Sequence, residues 1–328
     1  MDKTQEPLVS ICCITYNHEK YIKDAIESFL MQRTDFSFEI IIHDDASTDM
    51  TADIIREYER KYPGVIKPIY QTENQYSKGV NVLLLTFKKS KGRYIALCEG
   101  DDYWTDPLKL QKQIAEMEKH SECHISFHPA VIKWDDGSRA NQKLGSHSQK
   151  NKIFTIEKVI LGGGEFMPTN SIIVNKLSIP RITSFFEIAK DAPVGDYYIQ
   201  ILGAENGGAL YISDVMSVYR AGVSGSWSKR IKKSPEYYYS FIDSFKATND
   251  KIDAFTNYKY SKQFTMSKKH LISQGLKSTQ IDTGIGEVLL ESYGEYISFK
   301  DRMLWYLIYK NPTTIKVLKE IKKYCIFK

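Results

Sequence analysis

Residues 92 to 104 read GRYIALCEGDDYW, an apolar run from Tyr94 to Cys98 that stops in three carboxylates, Glu99, Asp101 and Asp102. The run is short, unbroken and bounded by glycines, which predicts a strand buried on both faces of a sheet. Two upstream segments repeat the pattern. LVSICCIT at 8–15 ends in TYNHE, and FEIIIH at 38–43 ends in DDASTD. After the first, Asn17 is placed to cap a helix in which Tyr21, Ile22, Ala25, Ile26 and Phe29 recur at helical spacing. After the second, Ile54, Ile55, Tyr58 and Tyr62 recur until Pro63 and Gly64 stop them. VIKPIY at 65–70 suits an edge strand, because Pro68 has no N–H to donate in a central one, and residues 80–89 read as a further helix. Strand and helix alternate, which predicts an α/β chain with a mostly parallel sheet flanked by helices. Ligands of such sheets bind beyond the carboxyl ends of the strands, so TYN, HDD and EGDD mark one functional edge.

The remaining sequence divides by texture. From 124 to 220, strand-like runs (HISFHPAVIKW, NSIIVN, ALYIS) alternate with a polar loop near 135–151 and a glycine run at 162–164, and no internal repeat is visible. Residues 235–275 are rich in Tyr, Phe and Lys at helical spacings. The expected organisation is a catalytic domain over 1–225, a helical appendage over 226–299 and a basic amphipathic tail over 300–328. Five cysteines, at 12, 13, 98, 123 and 325, have neither metal-ligand spacing nor an even count, which argues against a disulfide framework. MDKTQEPL lacks the apolar core of a signal peptide, and no run approaches the ~20 apolar residues that span a bilayer. A cytoplasmic chain is the expectation. The net charge is +5, but residues 300–328 hold eight Lys/Arg against two Asp/Glu, so the body is near neutral and does not read as a nucleic-acid binder.

Carboxylates converging at a turn suit a hard cation. Mg2+ or Mn2+ is commonly held by one or two protein carboxylates together with substrate phosphates, so such a cluster pairs naturally with a diphosphate. The plain alternative is a solvated acidic turn. Asp44 and Asp45 end a second strand, where acceptor-only groups can take a base N–H or a ribose hydroxyl. Ser47, Thr48 and Asp49 are placed to cap the next helix whatever the aspartates do.

In their order, VSICCITYNHEKYI, EIIIHDDASTDMT and GRYIALCEGDDYWTDPLKL resemble the family 2 glycosyltransferases, over roughly the first 120 residues. The resemblance implies a GT-A type, Rossmann-like fold with a helical C-terminal appendage. It implies an inverting transfer of a sugar from a nucleotide-diphospho-sugar, with Mn2+ or Mg2+ as cofactor and a glycan or lipid-linked saccharide as acceptor, in the building of a bacterial surface polysaccharide. By the same resemblance Thr15, Tyr16 and Asn17 line the nucleotide pocket, Asp45 reads the base, Asp101 lies near ribose and metal, and Asp102 coordinates the metal. Glu99 stands at the first acidic place of the family's D-x-D-D pattern. Two departures are visible: the usual proline near the first strand's end is replaced around Ile14, and the usual glycine of DDGS is Ala46, whose Cβ disfavours positive φ.

An inverting transfer needs a base for the acceptor hydroxyl. PVGDYYIQILGAENG resembles the family segment that carries it, which puts Asp196 in that role, with Asp191, Glu187 and Glu165 as nearby alternatives and helix stabilisation as the plain reading. FMPTNSIIV resembles the acceptor-contacting region. LYISDVMSVYRAGVSGSW resembles the closing strand, where Arg220 is suited to neutralise a diphosphate or to make a structural ion pair. Many relatives have a histidine shortly after this arginine, and here Ala221 and Gly222 follow. His18, His43 and His128 read as core or rim histidines.

Two readings fit the tail. LWYLIY at 304–309 and the following lysines either dock on an anionic membrane surface, making the protein peripheral, or form an ordinary C-terminal helix. Two other function classes compete with transfer: a nucleotide-binding module without catalysis, and a nucleotidyltransferase. The latter wants a glycine-rich phosphate loop after the first strand, and TYNHEKYI has none.

Overall fold

The computed structural model describes residues 6–135, 137, 139–223, 235–278 and 283–309. Two compact units are present, Met1–Lys229 and Arg230–Lys328. The first begins with the expected alternation: β1 (Val9–Thr15), α1 (Ile22–Leu30), β2 (Phe38–Asp44), α2 (Thr51–Lys61), β3 (Ile66–Tyr70), α3 (Val82–Lys89) and β4 (Tyr94–Leu97). β5 (Tyr103–Trp104), α4 (Lys109–Lys119), β6 (Ile125–Phe127), β7 (Ala130–Trp134), β8 (Gln142–Leu144), β9 (Lys152–Phe154) and α5 (Ile156–Gly162) follow. β10 (Ile173–Asn175), α6 (Ile179–Ile188), α7 (Gly195–Gly203), β11 (Ala209–Tyr211) and β12 (Ser217–Ala221) complete the unit.

Eight strands form the main sheet in the order β3-β2-β1-β4-β10-β6-β11-β9. β1 lies parallel to both β2 and β4, and β2 parallel to β3, so their carboxyl ends share one edge. β3, with Pro68, is the outermost strand, as its missing donor requires. β10 runs antiparallel to β4 and β6, which makes the sheet mixed. Ile11, Ile40, Ile42 and Ala96 pack with Ile22, Ile26 and Phe29 of α1 in one fully buried cluster. This is the mixed α/β architecture expected from the sequence.

A second sheet, β5-β12-β7-β8, is small but decides the site. β12 pairs antiparallel with β5, Ser217 opposite Trp104 and Val218 opposite Tyr103, so continuing the register brings Arg220 beside Asp101. β5 has two residues, too few for any periodic signal.

The turn after β2 carries a measurable strain. Ala46 has φ 62°, the left-handed region that a Cβ disfavours by about 1 to 2 kcal/mol. Ala46→Gly is therefore expected to stabilise the fold by about 0.5 to 1 kcal/mol, after allowing for glycine's freer unfolded chain. A urea midpoint at or below that of the native chain would refute this.

The second unit contains helices Pro235–Phe255, Ser261–Ser278, Thr283–Tyr293 and Phe299–Tyr309. Among the described residues no helix is long and apolar enough to cross a membrane. Within the last helix Trp305 is buried while Leu304, Tyr306 and Leu307 are exposed. The lysines after Pro312 lie outside the described residues, as does Cys325. Cys12, Cys13, Cys98 and Cys123 are free and buried.

Candidate active site

Three strand ends meet, and the turns that follow two of them are knitted together. The Asn17 amide donates to Ser47 Oγ (2.9 Å), the Thr48 amide to Asn17 Oδ1 (2.8 Å) and the His18 amide to Thr51 Oγ1 (2.8 Å). The Glu19 amide donates to Asp49 Oδ2, and Glu19 Oε2 accepts from the Met50 amide. Asn17 thus differs from its expected role as a cap. It sits at φ 55°, and α1 starts only at Ile22, with no side-chain cap. Its short polar side chain tolerates the left-handed backbone and clamps the neighbouring turn. Asp49 accepts from the Thr51 amide, and the amide of Met50, just before α2, is taken by Glu19.

Asp45 is buried, and its two oxygens accept from the amides of Gln75 (2.8 Å) and Tyr76 (3.0 Å). It therefore fastens the loop before α3, and Tyr76 joins Tyr16 as an exposed ring at this edge. Thr15 is buried with no partner for its hydroxyl, and it crowds Gly100, where an added Cβ would come within 2.7 Å of Thr15 Oγ1. Only glycine lets the third turn approach this closely.

In that turn the Asp102 amide donates to the Glu99 carbonyl (3.1 Å), so Asp101 and Asp102 point apart. Asp102 goes inward. Its Oδ1 accepts from the Arg220 amide (2.8 Å) and its Oδ2 from Asn170 Nδ2 (2.9 Å), and the residue is buried. Burial, then its acidic neighbours Asp101 and Glu99, push its carboxyl well above the usual range despite those bonds. Asp101 remains partly accessible, with His18 Nε2 at 3.9 Å from Oδ2. Asp102 is thus buried and hydrogen-bonded, while Asp101 is the more accessible of the two carboxylates.

Asn170 is the hub that the sequence did not single out. Fully buried, it donates through Nδ2 to Asp102 and to the Val218 carbonyl, accepts at Oδ1 from Ser217, and accepts at its carbonyl from Trp104 Nε1. Its neighbour Thr169 donates to Asp196 Oδ2 (2.9 Å), while Asp196 Oδ1 accepts from the Tyr197 amide (2.9 Å). Asp196 opens α7 and is half-buried. Burial raises its carboxyl above the ordinary value, partly offset by those two bonds.

The chain thus folds Asp196 into the field of the EGDD turn. Burial, then Asp101 and Asp196, push Glu99 up to about 8. Tyr219 feels all four carboxylates, Glu99, Asp102, Asp101 and Asp196, and its hydroxyl is pushed up by burial and by them. The alternatives to Asp196 are less enclosed: Glu165, Glu187 and Asp191 are exposed.

Arg220 is buried and does not hang free. Its guanidinium donates to the Asp101 carbonyl (2.7 Å) and to Asp24, and lies over the rings of Tyr103 (4.4 Å) and Tyr21 (5.2 Å). It thus ties the acidic turn to Asp24 of α1. His43 and His128 are core residues, with His43 Nε2 beside Gln71 and His128 Nδ1 beside the Pro129 carbonyl.

A cation fits this donor set. Glu99, Asp101, Asp102 and Asp196 all act electrostatically on Tyr219, and the adjacent guanidinium is committed to Asp24 and a carbonyl. No group of three or more side chains is arranged to cage a metal among the described residues. Mg2+ and Mn2+ are commonly held by only one or two carboxylates together with substrate phosphates.

Residues 10–176, half of the chain, match the model of glycosyl transferase family 2. The chain belongs to glycosyl transferase family 2. An uncharacterized protein of Mycobacterium tuberculosis is 36% identical to this family 2 chain over 221 residues, 67% of the chain and 60% of that relative. The putative teichuronic acid biosynthesis glycosyltransferase TuaG of Bacillus subtilis is 37% identical over 157 residues, 48% of the chain and 60% of TuaG. The chain therefore spans about 60% of the length of these curated relatives. Among solved structures, Staphylococcus aureus TarS 1–349 in complex with UDP-GlcNAc superposes with a TM-score of 0.62 at 15% identity, over 94% of this chain and 88% of that one. At that identity the likeness is one of fold, and the fold is the GT-A type.

Proposed function

We propose that this family 2 protein moves a sugar from a nucleotide-diphospho-sugar to an acceptor hydroxyl with inversion, in polysaccharide synthesis, and that Asp196 is the base. One observation carries the reading: Asp196 folds in from far along the chain to the acidic edge built by the first three strand ends, half-buried and oriented by Thr169.

Asp196 takes the proton of the acceptor hydroxyl. The acceptor oxygen forms its bond to the anomeric carbon as the bond from that carbon to the diphosphate oxygen breaks, and the nucleoside diphosphate leaves with the electron pair. Asp101, assisted by Glu99, would hold Mn2+ or Mg2+, which supplies charge stabilisation to the departing diphosphate. Asp102, tied to Arg220 and Asn170, orients the turn that presents Asp101. Tyr16, Thr15 and Asn17 bound the nucleotide pocket, with Asp45 behind it placing Tyr76. Arg220 acts as a positioning residue through Asp101 and Asp24. The catalytic domain is the first unit, and the second is a helical appendage whose basic tail meets an anionic membrane surface from the cytoplasmic side.

A screen of nucleotide sugars for thermal stabilisation with Mn2+ tests the donor class. A true donor present at 100-fold its Kd stabilises the folded state by about 2.7 kcal/mol. Asp101→Asn should abolish the Mn2+-dependent part, and the absence of stabilisation by any common donor would count against the proposal.

A further inference from the structure

A cleft of about 550 Å3 opens between residues 143–147 and 158–166, within the size range of roughly 300–1,000 Å3 typical of ligand sites. One wall packs against the segment that holds Asp196. Gly145 lies against Pro168, where an added Cβ would meet Pro168 Cδ at 2.6 Å, and Thr169, the next residue, holds Asp196. Gly164, beside the lining residue Glu165 in sequence, faces Val194 at 3.4 Å from its own notional Cβ, two residues before Asp196. The floor is preformed: His147 stacks on Phe166 with ring centroids 4.2 Å apart, and its Nε2 lies 2.8 Å from the Phe166 carbonyl. Phe127, Phe154 and Tyr211 pack around that pair.

The cleft is also charged. Lys143 and Lys158 line it, one on each side, both exposed and neither in an ion pair among the described residues, against one carboxylate, Glu165. The segment that builds it, residues 139–158, holds Arg139, Lys143, Lys150, Lys152 and Lys158 with Glu157 as the single acid, a net charge of +4 in a unit whose other residues carry a net charge of −7. Unpaired cations on both lips of a cleft match a polyanion laid across it.

We infer that this cleft binds the acceptor, and that the acceptor is an anionic glycan whose phosphate or carboxylate groups are held by Lys143 and Lys158 while its hydroxyl reaches Asp196. The inference rests on Asp196 being the base. Neutral glycans of the same length lack the groups the lysines recognise.

The test uses the full chain and its double charge reversal, Lys143→Glu with Lys158→Glu, both exposed positions. Binding of three probes is measured at low salt and at about 0.3 M salt, where exposed charge pairs are largely screened. The probes are a glycerol phosphate oligomer, an oligoglucuronate and a neutral dextran oligomer. Expected is retention of at least one anionic oligomer by the native chain, weakened by salt, with no retention of dextran and about a tenfold loss in the double reversal. Preference for the phosphate oligomer identifies a phosphodiester acceptor, preference for the uronate a carboxylated one, and both outcomes support the site. Equal binding of dextran, or anion binding unchanged in the double reversal, overturns it. The more conservative pair Lys143→Gln with Lys158→Gln should give an intermediate loss, and a matching melting midpoint shows that folding is intact. Donor-induced stabilisation, recorded on the same proteins, separates the two failures. Its absence from the native chain removes the transferase reading, whereas its presence in native and variant alike, with unchanged anion binding, removes only the anionic acceptor.

Discussion

Asp196→Asn is expected to lower sugar transfer by about 10²- to 10⁴-fold, the usual contribution of a positioned general base, while donor affinity stays within about twofold. The substitution is nearly isosteric. The amide oxygen can still accept from the Tyr197 amide, and Thr169, now donating to Asp196 Oδ2, can turn its hydroxyl to accept from the new NH2. What is lost is the lone pair that receives the acceptor's proton. The pH profile adds a second readout. Because burial raises the folded pKa of Asp196, the base is protonated and idle below a pH higher than the ordinary aspartate value near 3.9. The acid limb of kcat/KM should therefore lie above that value, falling tenfold per pH unit, and should vanish from the residual activity of the variant. The sign for stability runs the other way. A carboxyl with a raised folded pKa makes the fold less stable as pH rises through it, so at neutral pH the asparagine variant should melt no lower than the native chain. Undiminished transfer in the variant would remove Asp196 as the base.

Asn170→Ala should be the most damaging single change to the fold around the site, about 3 kcal/mol or more. Its side chain is fully buried and satisfies Asp102 Oδ2, the Val218 carbonyl and Ser217 Oγ together. Truncation strands three buried polar groups and leaves a cavity, and a buried group left without its partner costs about 1 to 3 kcal/mol. Urea unfolding measures it. A loss under about 1 kcal/mol would show that water or a shifted side chain replaces the amide, contrary to a dry, fully bonded hub. The same variant should weaken Mn2+-dependent donor stabilisation, because Asp102 no longer fixes the turn that presents Asp101.

Some of this was legible in the residues and some was not. β1, β2 and β4 are buried on both faces, so they appear as uninterrupted apolar runs, and their polar ends mark the functional edge in any parallel sheet. Pro68 dictated an edge strand by chemistry alone. The division of labour between Asp101 and Asp102 was hidden, because adjacent identical residues are sorted only by the turn in which the Asp102 amide meets the Glu99 carbonyl. Asn17 looks like a cap because caps use the same side chains, yet its partners stand about thirty residues away. The bracing of Arg220 by Asp24 spans 196 positions and rests on a two-residue strand, which leaves no periodic trace. Asn170 and Thr169 sit in FMPTN, a stretch without a pattern of its own, and a buried amide between two acidic sites emerges only when the turn at Thr169–Ser171 meets β12.

The stereochemistry of the first turnover tests the central claim most directly. With the donor that stabilises the protein in the presence of Mn2+, proton NMR of the freshly formed product should show the anomeric configuration opposite to that of the donor, as single displacement assisted by Asp196 requires. A product that keeps the donor's configuration, or a stabilising donor that is never consumed in the presence of any acceptor, would contradict it.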